Sequence, residues 1–195
     1  MPRYLDIQEL QKRIAEGDFT ALNELYRRYY RKLKLYGIQF SPKLSSLSID
    51  DTIQELFLWL SKNHKNLHNI ESLDVYLFSA LKRNIYQDIH KNQSRKNLMV
   101  LYTKNSTRPE HEHSAETNLI RSESLQYNKD LVQNLLETLP SKQKEVLYLR
   151  NYINMSYKEI AEVMDLSEQI VRNYSYKAMK KLKNQSALNS KIKEG

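Results

Sequence analysis

The sequence predicts an all-α chain built as two small helical domains joined by a flexible linker, and three observations carry that prediction. Glycine and proline are scarce, three and four in 195 residues, which disfavours turn-rich sheet architectures. Apolar residues recur at steps of three or four through most of the chain, the period of one helix face. That recurrence fails between residues 92 and 128, where "RPEHEHSAETN" is polar and holds a proline. A stretch of that length without a pattern is uncommon inside one compact domain, so the chain divides there. The expected divisions are a helical domain over 1–91, a linker over 92–128, a helix-turn-helix domain over 129–186 and a polar tail over 187–195.

Four helices are expected in the first domain. Asp6 caps a helix with Ile7, Leu10 and Ile14 on one face, and Gly17 ends it. Asp18 then caps a longer helix carrying Phe19, Leu22, Tyr26, Tyr29, Leu33 and Tyr36 inward. After the turn-rich "SPKLSSLS", Ser48 and Asp51 resemble a capping box for a third helix with Ile53, Leu56, Phe57 and Leu60 buried. The fourth, "LDVYLFSALKRNIYQDIHKN", buries Leu73, Tyr76, Leu77, Ala80, Leu81 and Ile85, and Ile89 extends that face. The run "NLMVLY" beyond it either continues that helix or docks on a partner.

Beyond the linker, "DLVQNLLETLP" reads as a helix stopped by Pro140, and Ser141 is expected to cap the next, "KQKEVLYLRNYI". Ser156 and Glu159 form a full capping box for a short helix with Ile160, Ala161 and Met164 inward. Asp165 and Leu166 make a turn, and Ser167 caps a last helix in which Val171 packs inward. Asp165 stands where such turns usually carry glycine, because the position needs positive φ and Asp tolerates that better than most residues.

Charge narrows the function. The net charge of +8 favours polyanionic partners. It sits in two blocks, 16 basic against 11 acidic residues before position 98 and 12 against 8 after position 128, around a near-neutral connector. The absence of cysteine excludes disulfides and thiolate metal sites and fits a reducing, cytoplasmic setting. No stretch of about 18 apolar residues is present, so no membrane span is expected. His111 to His113 are three neighbours in a polar linker, too poorly placed to converge on a metal. No phosphate loop or catalytic constellation is recognisable, so neither an enzyme nor a cofactor is expected.

Three faces remain as candidate binding sites. The last helix exposes Ser167, Glu168, Gln169, Arg172, Asn173, Tyr176, Lys177, Lys180 and Lys181; Arg and Asn suit base edges, and lysines suit phosphates. The fourth helix carries Lys82, Arg83, Asn84, Tyr86, Gln87, His90 and Lys91, cations interleaved with an aromatic as single-stranded DNA requires. In "DDTIQELFLWL", Asp50, Asp51, Gln54 and Glu55 set acid beside Leu58 and Trp59, which lie off the core stripe, a surface suited to a basic protein partner.

In this order and spacing, "FTALNELYRRYYRKL", "DDTIQELFLWL", "VYLFSALKRNIYQDIHK" and "LETLPSKQKEVLYLRNYINMSYKEIAEVMDLSEQIVRNYSYKAMKKL" resemble the extracytoplasmic-function (ECF) sigma factors of the sigma-70 family. The resemblance covers about 18–91 and 129–183 and implies two domains that bind core RNA polymerase and a promoter together. It implies that the α-helix bearing Asp51, Gln54 and Glu55 meets the polymerase β′ clamp helices and that the C-terminal domain meets the β flap. It implies that the 63–72 loop and the Lys82–Lys91 helix engage a melted −10 element, and that the Arg172 helix reads the −35 duplex. A membrane-anchored anti-sigma factor is a further partner it implies. Ile170, Ser175 and Lys177, like Asp165, depart from the family pattern. The competing readings are a free-standing, dimerising operator reader, which leaves both N-terminal faces idle, and a sigma-like protein that sequesters a partner without initiating transcription.

Overall fold

In the computed structural model, residues 6–40, 46–102 and 138–193 are described, and among them every regular element is helical. The order is α1 Ile7–Ala15, α2 Phe19–Phe40, α3 Ser46–Lys62, a 3-10 turn at His64–Asn69, α4 Leu73–Tyr102, α5 Ser141–Leu147, a π-helical turn at Tyr148–Tyr152, α6 Tyr157–Met164 and α7 Glu168–Lys193. The all-α prediction holds.

Local chemistry sets the helix starts. The Asp6 carboxylate accepts from the Ile7 N–H at 2.7 Å. Gly17 takes φ +94°, a conformation that glycine adopts without strain, and reverses the chain. Asp18 then accepts from the Thr20 and Ala21 N–H groups at 2.8 and 3.2 Å, the N-cap of α2. The 3-10 turn is tied to α1 by Gln11, which donates to the carbonyls of Leu67 and Ile70 at 2.8 and 2.6 Å. At Gly37 a Cβ would come within 2.7 Å of the Ile49 side chain, so glycine allows α2 and α3 to approach closely. Ile49, Ile53, Leu56, Phe57 and Leu60 of α3 are buried against α2 and α4.

Several sequence expectations are corrected here. Helix α3 starts at Ser46, so Ser48 lies inside its first turn rather than at the N-cap position; its carbonyl accepts from the Thr52 hydroxyl at 2.7 Å. Pro140, not Ser141, is the N-cap residue of α5, without a side-chain bond. Phe19 is 61% exposed, against the edge of His64, rather than in the core stripe. Helix α4 runs on to Tyr102, past the expected domain end at 91, so "NLMVLY" continues that helix, one of its two expected readings, and α7 continues to Lys193 through the stretch read as a tail. The remaining linker, with His111 to His113, and the helix expected over 130–139 as far as residue 137 lie outside the described residues; Thr138 and Leu139 form a turn ahead of Pro140.

The two halves share one core. Val146, Leu149, Ile153, Met155, Ile160, Val163 and Val171 belong to the same buried cluster as Leu33, Tyr36, Phe78 and Leu81. Phe78 meets Tyr36 edge-on at 5.2 Å, and the Tyr148 ring lies 5.7 Å from Phe40. The Tyr148 hydroxyl donates to the Lys32 carbonyl at 2.8 Å, and the Ser72 hydroxyl donates to Glu159 at 2.8 Å. Burial raises the pKa of the Tyr148 phenol far above its ordinary range.

Candidate nucleic-acid and protein interfaces

The helix-turn-helix is formed by α6 and α7. Ser156 and Glu159 close the capping box in both directions, the Ser156 hydroxyl accepting from the Glu159 N–H and Glu159 accepting from the Ser156 N–H. Burial pushes the Glu159 pKa up, but bonds from the Ser156 N–H and the Ser72 and Ser156 hydroxyls outweigh it, and the net shift is downward. Asp165 adopts the left-handed conformation, φ 53° and ψ 54°, as the sequence predicts. The next N–H, of Leu166, returns to the Ala161 carbonyl at 3.0 Å, so α6 ends in a closed turn. Val171 then seats α7 on the shared core, and Ala178 packs in a smaller cluster with Leu139 and Leu147.

The opposite face of α7 is open. Ser167, Gln169, Arg172, Asn173, Tyr176, Lys177, Lys180 and Lys181 are exposed, and Glu168 is half-buried. Arg172 is held in place: Glu168 accepts from its Nε at 3.0 Å, and its guanidinium lies 4.6 Å from the centre of the Tyr157 ring. Arg150 lies 4.8 Å from the same ring and donates to the Met155 carbonyl. Ser175 is buried with its hydroxyl 3.3 Å from the Tyr157 hydroxyl, which gives this polar residue a partner where the family pattern is apolar. Lys181 donates to the Thr138 carbonyl at 2.6 Å. Tyr157 and Arg150 escape the sequence reading because periodicity marks which residues turn inward, not which rings brace an exposed arginine.

Helix α4 divides its candidate residues. Arg83, Tyr86, Gln87 and His90 border a groove of about 790 Å³ whose other wall is Glu162, Val163 and Asp165 of the C-terminal half. Lys82 points into the junction of the halves, and its ammonium donates to Glu145 at 2.8 Å. Asn84 is half-buried, and the Lys91 side chain lies outside the described residues. The 69–72 segment joins Arg83 in a second groove, facing Lys158, Glu159 and Glu162.

The acidic helix α3 presents Asp51, Gln54, Glu55 and Leu58 in the open, with Trp59 45% exposed and 6.2 Å from the Tyr76 ring. Asp50 stands apart from them, accepting from the Tyr30 hydroxyl at 2.9 Å and from Lys34 at 2.8 Å. The hydrogen bond to Asp50 raises the Lys34 pKa. Among the described residues no cluster of His, Asp and Glu is arranged to hold a metal, and no helix is long and apolar enough to cross a membrane.

Among the described residues, an all-helical architecture joins a capped helix-turn-helix to a helix with a basic face, an arrangement that DNA-binding transcription proteins share. Comparison with known proteins sharpens this. Residues 129–182 match the family model for sigma-70, region 4. The chain is 25% identical over 196 residues to the ECF RNA polymerase sigma-E factor of Haemophilus influenzae, covering 94% of this chain and 97% of that one. It is 25% identical to the corresponding Escherichia coli protein over 189 residues, covering 94% and 96%. A solved structure of CnrH in complex with the cytosolic domain of CnrY shares the fold, with a TM-score of 0.53 at 19% identity over 93% of this chain and 96% of that one. The resemblance to ECF sigma factors of the sigma-70 family, read from four segments, is borne out along almost the whole chain, and with it a helix-turn-helix of the region 4 type.

Proposed function

We propose that this protein is a cytoplasmic bacterial sigma factor that binds core RNA polymerase and directs promoter recognition during transcription initiation. The observation that carries the reading is the α6–α7 helix-turn-helix, with its positive-φ turn and a braced Arg172 on an open face, inside a chain similar to sigma-E factors over 94% of its length. In this reading α7 reads the −35 duplex through Gln169, Arg172 and Asn173. Lys177, Lys180 and Lys181 neutralise phosphates. Arg83, Tyr86, Gln87 and His90, with Lys82, take the melted −10 strand, where the Tyr86 ring suits stacking on an unpaired base.

The face of Asp51, Gln54, Glu55, Leu58 and Trp59 meets the β′ clamp helices, and the C-terminal domain meets the β flap. An acidic face with exposed apolar groups is chemically suited to a basic partner surface. A membrane-anchored anti-sigma factor is a further proposed partner. The fold relative solved with another protein's cytosolic domain bound supports a partner domain of that kind. The protein contributes specificity and no bond chemistry of its own.

Run-off transcription with core polymerase and genomic fragments tests the reading. Promoter-dependent starts that require this protein are the expected result. Core-independent binding to a palindromic duplex, with no starts, would sink it in favour of an operator reader.

A further inference from the structure

We infer that Glu168 sets base choice in the −35 element: its carboxylate and the Arg172 guanidinium act as one unit that selects a C·G pair. The inference rests on the −35 reading of α7 and names a base pair that reading leaves open. Glu168 is the first residue of α7, directly after Ser167, whose hydroxyl accepts from the Ile170 N–H at 3.4 Å. The N-terminal residues of a helix seated in the major groove are the ones that reach base edges. An acid in the first turn suits the helix dipole, yet it also brings negative charge toward a phosphate-lined groove. The bonding of this side chain gives it a second use.

Arg172 donates to Glu168 Oε1 from both Nε, at 3.0 Å, and Nη2, at 2.5 Å. Among the described residues Oε2 takes no bond, so it stays able to accept. The guanidinium keeps Nη1 and its second Nη2 hydrogen for donation, and the Tyr157 ring at 4.6 Å fixes its plane. The two side chains are 53% and 43% exposed, so a ligand reaches both. The unit thus sets one acceptor beside a fork of two donors. In the major groove a C·G pair shows the converse: the cytosine N4 amino group donates, and guanine O6 and N7 accept. An A·T pair also has an amino donor, but its acceptors lie on either side of that donor and give the fork no pair on one base. A reversed C·G pair turns acceptors toward the carboxylate, so one orientation is favoured. Glu168 also neutralises Arg172, which leaves sequence-independent attraction to Lys177, Lys180 and Lys181.

Run-off transcription by core polymerase with this protein, on a promoter pool randomised across the −35 element, reads the preference position by position. The wild-type protein should fix a C·G pair, in one orientation, at one position. Glu168→Gln adds an amide donor, which suits adenine, so it should admit A·T at that position and leave the others unchanged. Glu168→Ala should lose the preference there altogether. On a scrambled duplex Glu168→Ala should bind several-fold more tightly, with a salt dependence steeper by about one phosphate contact, because Arg172 is released. If both Glu168 variants keep the wild-type preference at every position while Arg172→Ala loses one, the −35 reading stands and the Glu168 proposal falls. A wild-type preference for A·T at the position that the Glu168 variants alter overturns it equally. If neither they nor Arg172→Ala change any −35 preference, α7 is not the −35 reader, and both readings are lost.

Discussion

Arg172 and Asp165 show how single side chains set the business end of the helix-turn-helix. An unbraced arginine loses rotamer freedom on binding a base edge, whereas Arg172 is already fixed by Glu168 and by the face of Tyr157. Tyr157→Ala should therefore weaken binding to the cognate −35 duplex by about 0.5–1 kcal/mol, the worth of an exposed cation–π contact. Tyr157→Phe keeps the ring and should retain most of that affinity; fluorescence anisotropy with matched and scrambled duplexes separates a loss of discrimination from a uniform loss. Asp165 makes the opposite prediction, for stability. At φ 53° a side chain carries a steric cost that glycine lacks. Asp165→Gly should raise stability by up to ~1 kcal/mol, and Asp165→Val should lower it by ~1–2 kcal/mol. Denaturant titrations at neutral pH check both. The sequence alone exposed the demand at 165, since helix-turn-helix spacing fixes which residue must turn. It did not expose Tyr157, because an aromatic on a half-buried helix start has no periodic signature.

At the scale of the helices, the start of α2 links a cap to pH. The Thr20 hydroxyl and N–H, the Ala21 N–H and the Arg13 guanidinium all donate to Asp18. Of these, the Thr20 hydroxyl and then Arg13 do most to hold its carboxyl well below the usual carboxylate range. A group whose folded pKa is depressed contributes stability above its unfolded pKa and loses it as pH falls toward the folded one. The Asp18 contribution is therefore present at neutral pH and fades from about pH 4 downward. Asp18→Asn keeps an N-cap but removes the charge, so its melting temperature should fall less steeply with acid than that of the wild type. A parallel slope for the two proteins from pH 6 to pH 2 would contradict this. The helix starts at Asp6, Asp18 and Ser156 were legible because a capping side chain sits within three residues of the group it bonds. The ends of α4 and α7 were not. Polarity argues against a core position, yet a polar stretch continues a helix readily when no glycine or proline interrupts it.

At the scale of the whole molecule, composition predicted two domains and could not say whether they touch, because the contact is made by residues that look ordinary in their own helices. Tyr36 reads as core of the N-terminal half, Phe78 falls outside the face assigned to its helix, and Glu145 is one more charge on α5, but together they make the junction. Each half leaves apolar surface that the other covers, so the larger buried cluster runs across the junction, while Leu139, Leu147 and Ala178 form a smaller one in the C-terminal half. Two halves sharing a core should unfold together. The only tryptophan, Trp59, lies in α3 and reports on the N-terminal half, whereas far-ultraviolet circular dichroism follows the helices of both. The wild-type chain should give coincident thermal transitions by the two probes. Glu145→Ala removes the carboxylate and leaves Lys82, only 17% exposed, without its counter-charge and Tyr36 without its acceptor. The cost should be ~2–3 kcal/mol, short of a fully buried pair because Lys82 keeps some access to water. That loss falls on the junction rather than inside either half. In Glu145→Ala the circular dichroism transition should therefore begin at lower temperature than the Trp59 transition, as the C-terminal half separates and melts first. Coincident transitions in the variant, both shifted down, would mean that Glu145 stabilises the chain as a single unit rather than joining two.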